Sequence, residues 1–422
     1  MLQYINSMIK KIIFYSSVIF LVLNSVIYSQ TKIISSTKLE KVIEPKLYTE
    51  KSIIKNVSKE DLSEDFNAFV YFLKTSYIAY DEMIQKGFEL EDFIADINLK
   101  IKNDVIKTSN DLIINMYEQL KCFISDTHFA LANNNYTYNF NHKYYEEKSN
   151  FPNEFLMQTN KNSVYLSMPG FLPDYFQENT STKDFFQKVY SKFKVIQNKN
   201  YLIIDLRNCP GGLTDYPLLL LYSLYEGGDV IIPSKIFDAR QLGAEIIYKR
   251  TRFIETPVTE SLRYQRAVYT GNSGYEDDYK TASIMQMSNP KRIVRIENVK
   301  STHKIHKPAY NGKIIFLTNN KTASAAESII LQSKVLFPGK VKVLGQNTSG
   351  CLTYIDAFQF SMPNNSFAVS MTFISIEESL KEFDSWKGEG VGIEPDVICS
   401  DDEIIQNLIK ITREKALRLK ND

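Results

Sequence analysis

Apolar positions change their period along the chain. After Ser58, Leu62, Phe66, Phe69, Val70 and Leu73 recur at helical spacing, and Asp61 stands three residues beyond the serine as a short capping-box acid. A second amphipathic stretch runs over about Leu90 to Ile106, and a third starts at Ser109 with Leu112, Ile113, Met116 and Leu120 on one face. Residues 58–125 are therefore expected to form an N-terminal helical domain. From Ser163 the pattern shortens into β-rich runs, Val164 to Met168, Tyr201 to Leu206, Ile314 to Thr318, Val341 to Leu344 and Phe367 to Ile376. Helical segments near 182–194, 214–225 and 324–335 separate them, which predicts an α/β core over residues 163–400 with crossover connections. Residues 126–162 connect the two parts, and a C-terminal helix is expected over 401–422. The stretch of about 226–310 is too long for a bare loop and reads as an insertion in the core.

Ahead of the helices, residues 31–57 read as a linker. Lys10 and Lys11 precede an uncharged run from Ile12 to Tyr28, followed by Ser29 and Gln30. A basic start, an apolar run and a small residue before polar sequence is the layout of a secretory signal, so residues 1–30 predict export. The destination, periplasm, cell surface or medium, stays open. If the segment is not cleaved, it is the expected membrane contact.

Charge removes one class of partner. The formal net charge is +1, and loss of Lys10 and Lys11 with the signal leaves −1, so no basic excess remains to hold nucleic acid. Hydrophobic residues at 44% and aromatic residues at 13% exclude a disordered chain. Cys122, Cys209, Cys351 and Cys399 are spaced too widely for a CxxC motif, so no zinc site or other metal is expected. Their even number permits disulfides in an exported chain without selecting a pairing.

Four places could carry chemistry. Ser324 lies in Thr322-Ala323-Ser324-Ala325-Ala326-Glu327, between an apolar strand and a helix, where first-turn N–H groups can stabilise an oxyanion. Ser is also an ordinary N-cap, and spacing alone does not separate the two roles. The turn Asn208-Cys209-Pro210-Gly211-Gly212 follows another strand, and its glycines allow backbone amides to face a ligand. His128, in Asp126-Thr127-His128, is one of only four histidines and so one of few bases able to work near neutral pH. The others are His142, in an Asn/Tyr-rich loop, and His303 and His306, in a Lys-rich stretch. Near the C-terminus, Glu389 is closely flanked by Gly388 and Gly390 and is made accessible by the bend they allow.

These pieces, in this order and together with Gly345-Gln346-Asn347-Thr348-Ser349-Gly350 and Gly390-Val391-Gly392-Ile393-Glu394-Pro395-Asp396, resemble the S41 family of serine peptidases. That family includes the C-terminal processing proteases and the core of the tricorn protease. The resemblance implies an α/β fold with a ClpP/crotonase-like core and a peptide or protein substrate, without a cofactor. It implies Ser324 as nucleophile, His128 as base, and Glu389 orienting the base, with Thr127 as relay. The oxyanion hole falls to Gly211 or Gly212 with the Ala325 amide. Two departures stand out. Cys351 occupies the position of the processing proteases' lysine base, so the His-based arrangement of the tricorn branch is the better match. Only about 35 residues separate His128 from Val164, too few for the PDZ domain many members carry there. The fold also serves ligand carriers, so an inactive S41-like protein binding a peptide or apolar ligand is the alternative. Oligomeric state is left open.

Overall fold

The structure, a computed structural model, describes residues 46–47, 57–133, 137–140, 155–171, 182–212, 215–226, 250–255, 292–297, 309–400, 403–404 and 407–408. The expected signal segment, His142, His303, His306, most of the insertion and most of the C-terminal helix lie outside these residues.

Four helices come first: Lys59–Ser76, Tyr80–Gln85, Leu90–Lys102 and Ser109–Leu120. Ser58 and Thr108 cap the first and last, each hydroxyl accepting the N–H of the aspartate three residues on at 3.1 Å. Asp61 and Asp111 return the bond to the cap N–H, so two orphan donors are satisfied at each start. The apolar faces, led by Phe66, Phe69, Phe72 and Met116, share one core with Phe360, Phe367, Val369, Met371 and Phe373 from far downstream. The helices thus cover a sheet rather than closing on one another.

Thirteen strands are described: β1 (Lys46–Leu47), β2 (Ala130–Ala132), β3 (Thr137–Asn139), β4 (Leu156–Thr159), β5 (Ser163–Ser167), β6 (Tyr201–Asp205), β7 (Arg250–Glu255), β8 (Arg292–Glu297), β9 (Lys313–Thr318), β10 (Val341–Gly345), β11 (Tyr354–Ser361), β12 (Ala368–Ser375) and β13 (Val397–Ile398). One sheet, antiparallel, runs β1-β11-β12-β2-β3, with β7 on β12 and β8 on β7. The other runs β13-β10-β9-β6-β5-β4, parallel from β13 to β5, with β4 antiparallel at the edge. Burial on both faces explains why β6 and β9 read as nearly unbroken apolar runs. Ile204 and Phe316 face the helices Thr182–Ser191, Asp215–Glu226 and Ala325–Leu336, while Ile203 and Ile315 face Cys399 and Ile404.

The parallel sheet delivers three turns to one edge, those after β6, β9 and β10, where open α/β sheets place their ligands. Backbone bonds lace these turns together. Leu206 N donates to Leu317 O at 2.9 Å, Gln346 N to Thr318 O at 3.1 Å, and Ala323 N to Cys209 O at 2.9 Å. The antiparallel sheet meets the same edge through the segment before β2, which carries His128. None of the four cysteines forms a disulfide. Among the described residues no helix is long and apolar enough to cross a membrane.

Gly350 marks where two loops press together. Its φ is +77°, and a Cβ there would come within 2.5 Å of Val391 N and 2.6 Å of Gly390 N and Gly392 N. Gly87 also has positive φ, +88°, but faces open space. Gly87→Ala should cost about 1 kcal/mol from backbone strain alone, whereas Gly350→Ala should cost roughly 2 kcal/mol or more in denaturant unfolding. Equal losses for the two variants would disprove this packing.

Candidate active site

Ser324 follows the turn after β9 and precedes the helix Ala325–Leu336, and its backbone lies at φ 55°, ψ −119°. A side chain held at positive φ costs about 1–3 kcal/mol and persists only where its surroundings impose it. Glu327 closes the helix start, its Oε2 accepting Ser324 N–H at 2.8 Å. The Ser324 Oγ faces His128 Nε2 at 3.3 Å. Ser324 and His128 are both part-exposed, so this pair opens to solvent.

Gly211 packs directly against the serine. With φ +90°, a Cβ on it would lie 2.6 Å from Ala323 O and 2.8 Å from both Ala325 N and Ser324 Cβ, so only glycine permits this approach. Ala325 is the first helical residue, and its N–H is one of the donors a helix leaves open. Gly212, exposed beside it, bridges to Phe171, whose N–H donates to Gly211 O at 2.8 Å. Gly211 and Ala325 are thus brought together around Ser324, with Gly212 next along the chain.

Glu389 reaches the same place from the loop closed by the Trp386–Ile393 bridge. Its Oε1 accepts Thr127 N at 3.2 Å and Thr127 Oγ1 at 2.6 Å, and its Oε2 accepts Leu352 N at 3.2 Å and Thr353 N at 2.8 Å. Enclosure of this carboxyl, reinforced by the Asp126 charge, outweighs those donors and pushes its pKa up to about 8. Asp126 is wholly buried and accepts His128 N at 2.8 Å and Thr372 Oγ1 at 2.6 Å. Burial raises it to about 6.

Cys351 touches the imidazole, with Sγ 3.5 Å from Nδ1 and 3.3 Å from Nε2. Near-equal distances to the two nitrogens put the sulfur off the lone-pair direction of either. Burial, and then the charges of Glu389 and Glu327, raise the thiol well above its ordinary pKa, so it stays protonated near neutral pH. The donor atoms of His128, Cys351 and Glu389 lie within 4.8 Å of one another. A protonated thiol off the nitrogen axis and a carboxylate already accepting four hydrogen bonds do not make a ready metal ligand set.

Two residues escaped the sequence reading of roles. Glu327, fully buried, accepts Ser324 N, Thr348 Oγ1, Gly350 N and Cys351 N. Asp126 was visible only as a flank of the histidine. An acid three residues into a helix behind a serine, and an acid two residues before a lone histidine, are the signals available for them.

The model of peptidase family S41 matches residues 162–399, more than half of the 422. Among solved structures, mature CPAF is 12% identical with a TM-score of 0.51, covering 86% of this chain and 98% of that one. A lipoprotein from Streptococcus agalactiae is 14% identical with a TM-score of 0.44, again over 86% of this chain and 98% of that one. The first of these is a likeness of fold. No curated protein matches the chain.

The raised Glu389 carboxyl has a consequence for stability. Between its ordinary pKa of 4.5 and about 8, the folded chain holds a proton that the unfolded chain has released, so this group's contribution falls as pH rises through that window. Unfolding free energy should decline from pH 5 to pH 8 by an amount on the order of a few kcal/mol from this group, and Glu389→Gln should flatten the slope. Parallel pH–stability curves for the two proteins would refute the assignment.

Proposed function

The chain belongs to peptidase family S41, and from that premise we propose that it is an exported serine endopeptidase working through an acyl-enzyme. The observation that carries the reading is the Ser324 Oγ, on a strained backbone, 3.3 Å from His128 Nε2. In this reading Ser324 Oγ attacks a peptide carbonyl while His128 Nε2 takes its proton. The tetrahedral oxyanion is received by Ala325 N–H with Gly211 or Gly212 N–H, each donor worth about 10²- to 10³-fold in turnover. On collapse His128 gives the proton to the leaving amine, and the acyl group remains on Ser324. Water, deprotonated by the same nitrogen, then releases the acyl product. Glu389 acts through Thr127, whose N–H and hydroxyl it binds, holding the segment that carries His128. The substrate is a peptide or protein. Export rests on residues 1–30, and a secreted mature form with a new N-terminus near residue 31 is its direct check.

Purified protein should be labelled covalently by an active-site fluorophosphonate. Ser324→Ala should abolish labelling without unfolding the chain, and His128→Ala should slow it at least about 10³-fold. Cys351→Ala should be mild, because its protonated sulfur lies off both nitrogen axes. Labelling that survives Ser324→Ala, or a larger loss from Cys351→Ala than from His128→Ala, overturns the assignment. A wild-type protein that never labels and retains a bound peptide or apolar ligand is instead the inactive binding protein.

A further inference from the structure

We infer that Asp126 is a positioning residue for the base, the carboxylate that holds the Nδ1 side of His128 and supports the imidazolium when Nε2 carries the Ser324 proton. The inference rests on the serine-peptidase reading above and adds a residue to it. For Nε2 to accept a proton from Ser324, the neutral ring must carry its own proton on Nδ1. Asp126 Oδ1 lies 3.9 Å from that atom, within ion-pair reach. The same oxygen accepts the backbone N–H of His128 at 2.8 Å, so the carboxylate fixes both the main chain and the charge environment of one residue. The Glu389 oxygens are occupied differently, by Thr127, Leu352 and Thr353.

The surroundings of the two acids divide their labour. Asp126, at about 6, is ionised near neutral pH, while Glu389, at about 8, holds its proton there. Across that interval the negative charge next to the imidazole belongs to Asp126. The groups facing Asp126 are Tyr77 at the end of the first helix, Glu82 on the second, Tyr354 on β11, Thr372 on β12, and Glu389 and Cys351 from the loops. Lys86 is engaged by Glu82 at 2.7 Å, which leaves His128 as the cation that forms next to Asp126 during the reaction. No bond to Asp126 is made or broken. The proton moves from Ser324 Oγ to Nε2 and onward to the leaving amine.

The test is an NMR titration of the imidazoles in the full chain labelled with ¹⁵N-histidine, with His128 assigned by its loss in His128→Gln. Asp126→Asn should lower the His128 pKa by about 1 unit or more, and Glu389→Gln by less than half as much. The fluorophosphonate rate at pH 7 should fall about 10- to 100-fold in Asp126→Asn, with the pH dependence of labelling displaced by the same amount as the titration. An unmoved His128 pKa in Asp126→Asn, or a larger shift in Glu389→Gln, overturns the proposal. If Asp126→Asn does not fold, Thr372→Val removes the donor to Oδ2 and raises the Asp126 pKa. The lower inflection in the His128 titration must then move up, and an unmoved curve is equally fatal. The titration reads the pairing whether or not the protein cleaves peptides. A wild type that does not label defeats the peptidase reading, while the His128 shift still decides the role of Asp126.

Discussion

Glu327 lies fully buried on the first turn of the helix behind Ser324, and its two oxygens receive four hydrogens from two separate pieces of chain. One comes from the serine's own N–H, one from the Thr348 hydroxyl at 2.5 Å, and two from Gly350 N and Cys351 N at 2.8 Å each. Thr348 Oγ1 in turn accepts Ile393 N at 2.6 Å, and Gly390 N donates to Gly350 O at 2.7 Å. A single carboxylate therefore ties the nucleophile turn to the loop after β10, and through it to the loop that presents Glu389. Without that tie nothing local would keep a serine at positive φ, because the strain is borne by contacts that over-determine the turn.

Burying an acid this completely is costly, and its pKa is raised by enclosure despite the four donors. The fold accepts a similar cost twice more, at Asp126 and at Glu389. Enclosed acids beside one imidazole sit in a low-dielectric setting, where each proton matters more than it would in water. Stability is thereby exchanged for a defined charge pattern. That pattern is what an ordinary core, closed by apolar side chains, does not provide.

Much of this arrangement was legible in the chain. Helical spacing located the helices that begin behind Ser58 and at Ser109, and apolar runs located the central strands, because both patterns express burial at the period of the element itself. Ser324 stood at a strand-to-helix junction, a position readable from its neighbours. What spacing does not carry is the partnership between remote segments. The helices share their core with β11 and β12, some 240 to 310 residues away, a contact that chain order does not express. The place of Cys351 against the His128 ring, over a separation of 223 residues, had no local signature either. The positive φ of Ser324 was equally invisible, since serine is a common cap and nothing in the composition marks a strained one.

The exchange of a lysine position for a cysteine acquires a physical meaning in this setting. A lysine base must be neutral to take a proton, and the nearby Asp126 carboxylate would favour its charged form. Histidine turns the same field to use, since the nearby negative charge stabilises the cation that forms as the serine is deprotonated. A neutral thiol at position 351 fills the space beside the ring without adding charge, and its sulfur packs where a cationic side chain would compete with the imidazolium for Asp126. The electrostatics of the pocket thus select which base can work in it, and the cysteine is compatible with that choice rather than a defect in it.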